Sequence, residues 1–178
     1  NISLKEEVIV SSEEFINGKP VFASNTSTIP ISRLSKKSRD PERFIGIHFF
    51  SPVNKMRLVE IIKGDKTSPE TLAKAFDYVL QLNKIPIVVN DKRGFYTTRV
   101  FERYAKEGLS LLMDGVSPQH IESAGMQAGF PVGPLAIVDE ISISLLDSIR
   151  NQEKIYLEAE GKQYHNGPWD EVIDIMIK

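Results

Sequence analysis

The sequence predicts an α/β fold that gives way, near residue 92, to an all-helical half. Three observations carry this. Between residues 1 and 90, four apolar runs of strand length ("VFA", "FIGIH", "LVEIIK" and "IPIVVN") alternate with stretches of helical periodicity. The turn-rich "DKRGF" then punctuates the chain. From Gly94 onward the strand-like alternation fades and apolar residues recur at helical spacing. Two parts are expected: residues 1–92, the second half of an α/β domain, and residues 93–178, a helical domain.

Taken in order, residues 1–15 read as a helix with Leu4, Val8, Ser11 and Phe15 on one stripe. Val21 to Ala23 form a short strand that breaks into the polar turn Ser24, Asn25, Thr26, Ser27. "STIPISRLSKKS" suits one or two helical turns, and strands follow at Phe44–His48 and Leu58–Lys63. The next helix is strongly signalled. Ser68 can cap it, Pro69 fits its first turn, Glu70 favours the positive end of the dipole, and Leu72, Phe76, Val79 and Leu80 make a face. In the strand 85–90, Pro86 lacks an N–H and so points to a sheet edge or a strand start.

In the second half a long helix is expected from about Phe95 to Met113, with Val100, Phe101, Tyr104, Leu111 and Leu112 as core. Ser117-Pro118 caps a helix to about 128, and Pro134 opens another through Val138 and Asp139. Residues 143–159 continue as helix, and Trp169 begins the last helical run. Gly125 and Gly129, in "GMQAGF", read as a helix-packing glycine and a C-cap. His120 and His165 read as solvent-facing, and Asp139 and Glu140 as structural.

Composition narrows the function. The 178 residues are 41% hydrophobic with a formal charge of −2, and the charges are not gathered into blocks. That argues against nucleic acid and a membrane surface as partners. No apolar run reaches membrane-spanning length. With no cysteine, disulfides and thiolate metal sites are excluded, a reducing compartment is favoured, and no metal is expected from the His, Asp and Glu spacing. The chain starts at Asn1 inside a helical pattern and stops within the amphipathic "WDEVIDIMIK", so it is expected to be a piece of a longer protein.

The chemistry-bearing residues gather around His48. Ligands in open α/β sheets bind at the carboxyl ends of strands. His48 ends one strand and Ser27 follows another, so parallel neighbours would carry both to one edge. Glu60 can reach the imidazole only if strand 58–63 folds back alongside. A carboxylate on one ring nitrogen would fix the tautomer and leave the other nitrogen basic. Each residue also has a plain reading: a satisfied structural histidine, a glutamate on a solvated strand face, a serine in a turn. Spacing by itself leaves both open.

The order and spacing of "FASNTSTIPIS", "RFIGIHFFSPVNKMRLVEII", "GFYTTRV" and "AGFPVGPLAIVDE" resemble the L-3-hydroxyacyl-CoA dehydrogenase family, most closely the dehydrogenase region of multifunctional fatty-acid oxidation alpha subunits. The resemblance implies the C-terminal part of a Rossmann-like NAD-binding domain followed by the family's helical C-terminal domain. It also implies NAD as cofactor and an acyl-CoA substrate. Position by position, it makes His48 the catalytic base and Glu60 its paired acid. Ser27 lies near substrate and nicotinamide, and Lys5 and Ser51 are cofactor contacts, Ser51 standing where many members have asparagine. Thr98 stands where the family commonly places an asparagine on the substrate, so a short hydroxyl must serve there or the enzyme is retuned.

The phosphate-binding G-x-G-x-x-G loop of such domains is not in this sequence. The chain by itself is therefore expected to be inactive while the protein containing it is active. The resemblance further implies a homodimer or a complex with a thiolase beta subunit, in the bacterial cytoplasm or another reducing compartment. Two other readings remain: a non-catalytic assembly module of a fatty-acid oxidation complex, and a stand-alone 3-hydroxybutyryl-CoA dehydrogenase.

Overall fold

A computed structural model describes residues 2–159 and 161–178. Two compact units divide between Arg99 and Val100.

The first unit is built on a four-stranded mixed sheet in the order β1 (Phe22–Ser24), β2 (Phe44–Phe49), β3 (Leu58–Lys63), β4 (Ile85–Asn90). β1 runs parallel to β2, β3 folds back antiparallel to β2, and β4 runs parallel to β3. β4 is an edge strand, and Pro86 is its second residue, so both positions that proline pointed to are met. Both faces are covered. Ile45, Ile47, Val59 and Ile61 pack against Ala75 and Val79 of α3 (Pro69–Gln81). Phe44 and Ile62, on the opposite face, pack with Ile9 of α1 (Ile2–Glu13), Ile31 and Leu34 of α2 (Ile31–Leu34), and Phe95. Gly46 lies between these last residues, where an added Cβ would sit 2.8 Å from Ile31 Cδ1 and 2.9 Å from Ile62 Cβ. The glycine lets α2 lie close on the sheet.

α3 begins as expected, with Ser68 Oγ accepting from Thr71 N–H at 3.2 Å. Its buried stripe is Thr71, Ala75 and Val79; Leu72 is half-buried and Phe76 and Leu80 are exposed. The expected α1 stripe is also corrected. Leu4, Val8 and Phe15 are exposed, and Ile9 and Glu13 face inward. Apolar residues surround this helix, so periodicity could not choose a face. Buried Glu13 is satisfied by Ser38 Oγ at 2.5 Å and Arg39 N–H at 2.8 Å.

In the second unit, α4 (Thr97–Met113), α6 (Pro134–Ile141), α7 (Ile143–Ala159) and α8 (Pro168–Met176) form a core around Ala105, Leu109, Val138, Leu146, Val172 and Ile173. Val100 and Phe101 are exposed, and Tyr104, Leu111 and Leu112 are half-buried; the inner stripe of α4 is Ala105, Gly108 and Leu109. Small residues win here because an added Cβ at Gly108 would stand 2.6 Å from Pro134 Cβ. Gly125, in α5 (Pro118–Gln127), likewise leaves room for the Tyr104 hydroxyl and Pro134, and Gly129 takes φ +98° after the helix. Ser117 does not cap α5 with its side chain; its hydroxyl instead pairs with exposed His120 Nδ1 at 2.8 Å. Buried Arg150 binds Asp174 Oδ1 at 2.7 Å and the Asp170 carbonyl at 3.1 Å, joining α7 to α8.

Candidate active site

The antiparallel register of β2 and β3 makes His48 and Glu60 direct cross-strand partners. Side chains alternate across a sheet, so partners in register emerge on one face. That face is the buried one carrying Phe44 and Ile62, not a solvated one. His48 Nδ1 lies 2.8 Å from Glu60 Oε2, with Glu60 fully buried and His48 5% exposed. The imidazole is walled by Phe50 and Phe95, whose ring centroids lie 4.5 and 6.1 Å away.

The second carboxylate oxygen is held by backbone. Glu60 Oε1 accepts from Tyr96 N–H at 3.0 Å and Thr97 N–H at 2.8 Å, at the start of α4. The N-terminus of a helix stabilises an anion. Burial pushes the Glu60 carboxyl up, but His48 and the Thr97 and Tyr96 N–H groups outweigh it and hold the group below its ordinary value of 4.5. The Thr97 hydroxyl is buried without a hydrogen-bond partner among the described residues. An ionised carboxylate only accepts, so in the neutral imidazole Nδ1 carries the proton and Nε2 keeps its lone pair.

The remaining sequence-predicted residues lie on the turn after β1, α1, the β2–β3 loop and α4. Ser27 is exposed on the turn after β1. That turn is tied down by Thr26 Oγ1, which accepts from Ile29 N–H at 3.1 Å. Asn25 Oδ1 accepts from Phe49 N–H at 3.0 Å, linking the turn to the residue after His48. Lys5 is half-buried on α1, Ser51 is exposed in the β2–β3 loop, and Thr98 is half-buried at the second position of α4. Among the described residues, the hydrogen bonds of His48 and Glu60 run to each other and to the α4 backbone. They do not run to Ser27, Lys5, Ser51 or Thr98.

Sequence reasoning missed two parts of this site, the Tyr96 and Thr97 N–H groups and the Phe50 and Phe95 walls, and, away from it, Asp91. The Asp91 carboxylate accepts from Ile31 and Ser32 N–H, each at 2.7 Å, and so fixes the start of α2. Gly94 signalled a turn, but Phe95 at φ +48° carried no such mark, which is why helix α4 starts at Thr97 and not at Phe95.

Family comparison matches residues 1–92 to the 3-hydroxyacyl-CoA dehydrogenase NAD binding domain and residues 94–174 to the 3-hydroxyacyl-CoA dehydrogenase C-terminal domain. The chain belongs to the 3-hydroxyacyl-CoA dehydrogenase family. It is 41% identical over 145 residues to the fatty acid oxidation complex subunit alpha of Shewanella loihica, a match covering 82% of this chain and 20% of that protein. The chain thus spans about a fifth of the length of the curated relatives it matches. Among solved structures, (S)-3-hydroxybutyryl-CoA dehydrogenase PaaH1 from Ralstonia eutropha is 31% identical with a TM-score of 0.85, covering 99% of this chain and 62% of that one. The 3-hydroxybutyryl-CoA dehydrogenase of Escherichia coli K12 is also 31% identical, with a TM-score of 0.77 over 82% of this chain and 31% of that one. Among the described residues of this family member, no helix is long and apolar enough to cross a membrane.

Proposed function

We propose that the protein containing this chain oxidises L-3-hydroxyacyl-CoA to 3-oxoacyl-CoA with NAD in fatty-acid β-oxidation, and that His48 and Glu60 supply its base. The observation that carries this is the buried 2.8 Å contact between Nδ1 of His48 and Oε2 of Glu60. When bound, NAD supplies the acceptor for the hydride leaving C3. His48 Nε2 takes the proton of the 3-hydroxyl as the carbon–oxygen bond becomes a carbonyl. Glu60 holds the ring in the Nδ1–H tautomer and offsets the charge of the imidazolium that forms. Burying an ionised carboxylate is costly unless it is paired and hydrogen-bonded, and a plain assembly module has no use for one here.

The residues fit the nicotinamide end of the cofactor. β1 and β2 run parallel, and the turn carrying the Ser27 hydroxyl follows β1 and is bonded to the end of β2, the place where open sheets take ligands. Lys5 and Ser51 are assigned as further cofactor contacts, and Thr98 gives its hydroxyl to the substrate. In this reading the two domains are residues 1–92 and 93–178, and the assembled protein is a homodimer or a complex with a thiolase beta subunit, in the bacterial cytoplasm or another reducing compartment.

The test is steady-state oxidation of 3-hydroxyacyl-CoA by the full-length protein with His48→Gln. Loss of kcat by about 10²–10⁴-fold, the usual share of a general base, with acyl-CoA binding retained, is expected. Turnover within a few-fold of the unsubstituted protein would overturn the assignment.

A further inference from the structure

Between β4 and α4 the chain makes two left-handed residues in succession, Gly94 at φ +72° and Phe95 at φ +48°. Glycine adopts this region freely, but an aromatic residue there is uncommon and persists only where its surroundings hold it. Phe95 is 2% exposed, and its N–H donates to the Lys92 carbonyl at 2.8 Å. Its ring joins the core made by Ile9, Ile31, Leu34, Phe44 and Ile62. The next two N–H groups, those of Tyr96 and Thr97, both end on Glu60 Oε1.

We propose that Phe95 is a positioning residue of the His48–Glu60 pair, acting through both its backbone and its ring. Its left-handed backbone turns the Tyr96 and Thr97 N–H groups onto Oε1 of Glu60, and its core-anchored ring stands beside His48. The inference rests on the dyad reading above and deepens it. With Oε1 claimed by two backbone donors, only Oε2 remains for the imidazole, so the carboxylate cannot rotate away without breaking three hydrogen bonds. The strained turn converts packing of one aromatic ring into the orientation of a carboxylate, and through it into the tautomer of His48. Phe95 touches no reacting atom in this scheme; it acts through Glu60 and the ring of His48.

The readout is the His48 Nδ1–H proton, observed by ¹⁵N-resolved NMR on the full 178-residue chain, with His120 and His165 as internal references. Phe95→Ala removes the anchor. Ile9→Ala, a truncation in the same core cluster, is the control for lost packing alone. Exchange of the Nδ1–H with water is expected to be at least about tenfold faster in Phe95→Ala than in Ile9→Ala after correction for global stability. Phe95→Leu, which keeps an apolar anchor, should fall between them and replaces Phe95→Ala if that variant does not fold. Equal exchange in the Phe95 and Ile9 variants would overturn the proposal. The dyad reading fails separately: a full-length protein with a protected Nδ1–H but no 3-hydroxyacyl-CoA oxidation would refute the chemistry and leave the positioning role of Phe95 standing.

Discussion

His48 and Glu60 face each other across one rung of an antiparallel strand pair, 2.8 Å apart and shut away from water on the same sheet face as Phe44 and Ile62. A strand pair slipped by one residue would send these side chains to opposite faces, so the pair also reports the register. Its chemistry and its stability are therefore linked.

Glu60→Gln tests the link from the chemical side. The amide keeps the shape but carries no charge to offset the imidazolium, and it can present an N–H to either the ring or the α4 backbone. In the full-length protein kcat for 3-hydroxyacyl-CoA oxidation should fall by about 10²-fold or more. KM for the acyl-CoA should change little, because Glu60 is fully buried. A large rise in KM with kcat preserved would contradict the role.

The same carboxylate sets an acid limit on stability. Its pKa is lowered in the folded chain from an ordinary 4.5, so the unfolded chain binds the proton first as pH falls. The stabilisation is fully present above about pH 4.5 and is lost as pH drops through the lower folded value. Urea unfolding followed by circular dichroism from pH 7 to pH 3 should show the gap between the unsubstituted chain and Glu60→Gln shrinking below pH 4.5. A gap constant across that range would refute it.

Gly46 offers a packing test. A Cβ there would press within 2.8 Å of Ile31 Cδ1, so Gly46→Ala should cost about 1–3 kcal/mol, the usual penalty of overpacking. Ile31→Ala removes both Cδ1 and the equally close Cγ1, and the double variant should recover part of the loss. Strict additivity in a double-mutant cycle of thermal stabilities would count against the contact.

Thr98 tests the substrate side. Thr98→Val keeps the branched shape and deletes the hydroxyl, and should lower kcat/KM of the full-length enzyme by about 30- to 1,000-fold, corresponding to about 2–4 kcal/mol of lost transition-state stabilisation. Thr98→Asn should retain activity. Equal initial velocities for the unsubstituted enzyme and the Thr98→Val variant would show that the hydroxyl plays no part.

Much of this architecture could be read from the chain. All four strands followed from apolar run length, Pro86 pointed to either the edge or the start of β4, and Ser68 marked the start of α3 by its capping chemistry. Helix faces were less legible. In α1 apolar residues lie all round, and in α4 the closest packing is made by Ala105 and Gly108, which hydrophobicity overlooks. At the site, spacing alone left the roles of His48 and Glu60 open; the resemblance paired them, and their contact depended on β3 folding back along β2. The donors to Oε1 were not legible, since they are main-chain groups aimed by the unexpected backbone of Phe95, and no side-chain pattern encodes them.

The most direct measurement is the tautomer of neutral His48, read from the ¹⁵N shifts of its ring nitrogens. A carboxylate-held imidazole should carry its proton on Nδ1 and leave Nε2 unprotonated, ready to receive the proton of an alcohol. A proton on Nε2, with Nδ1 bare toward Glu60, would contradict it.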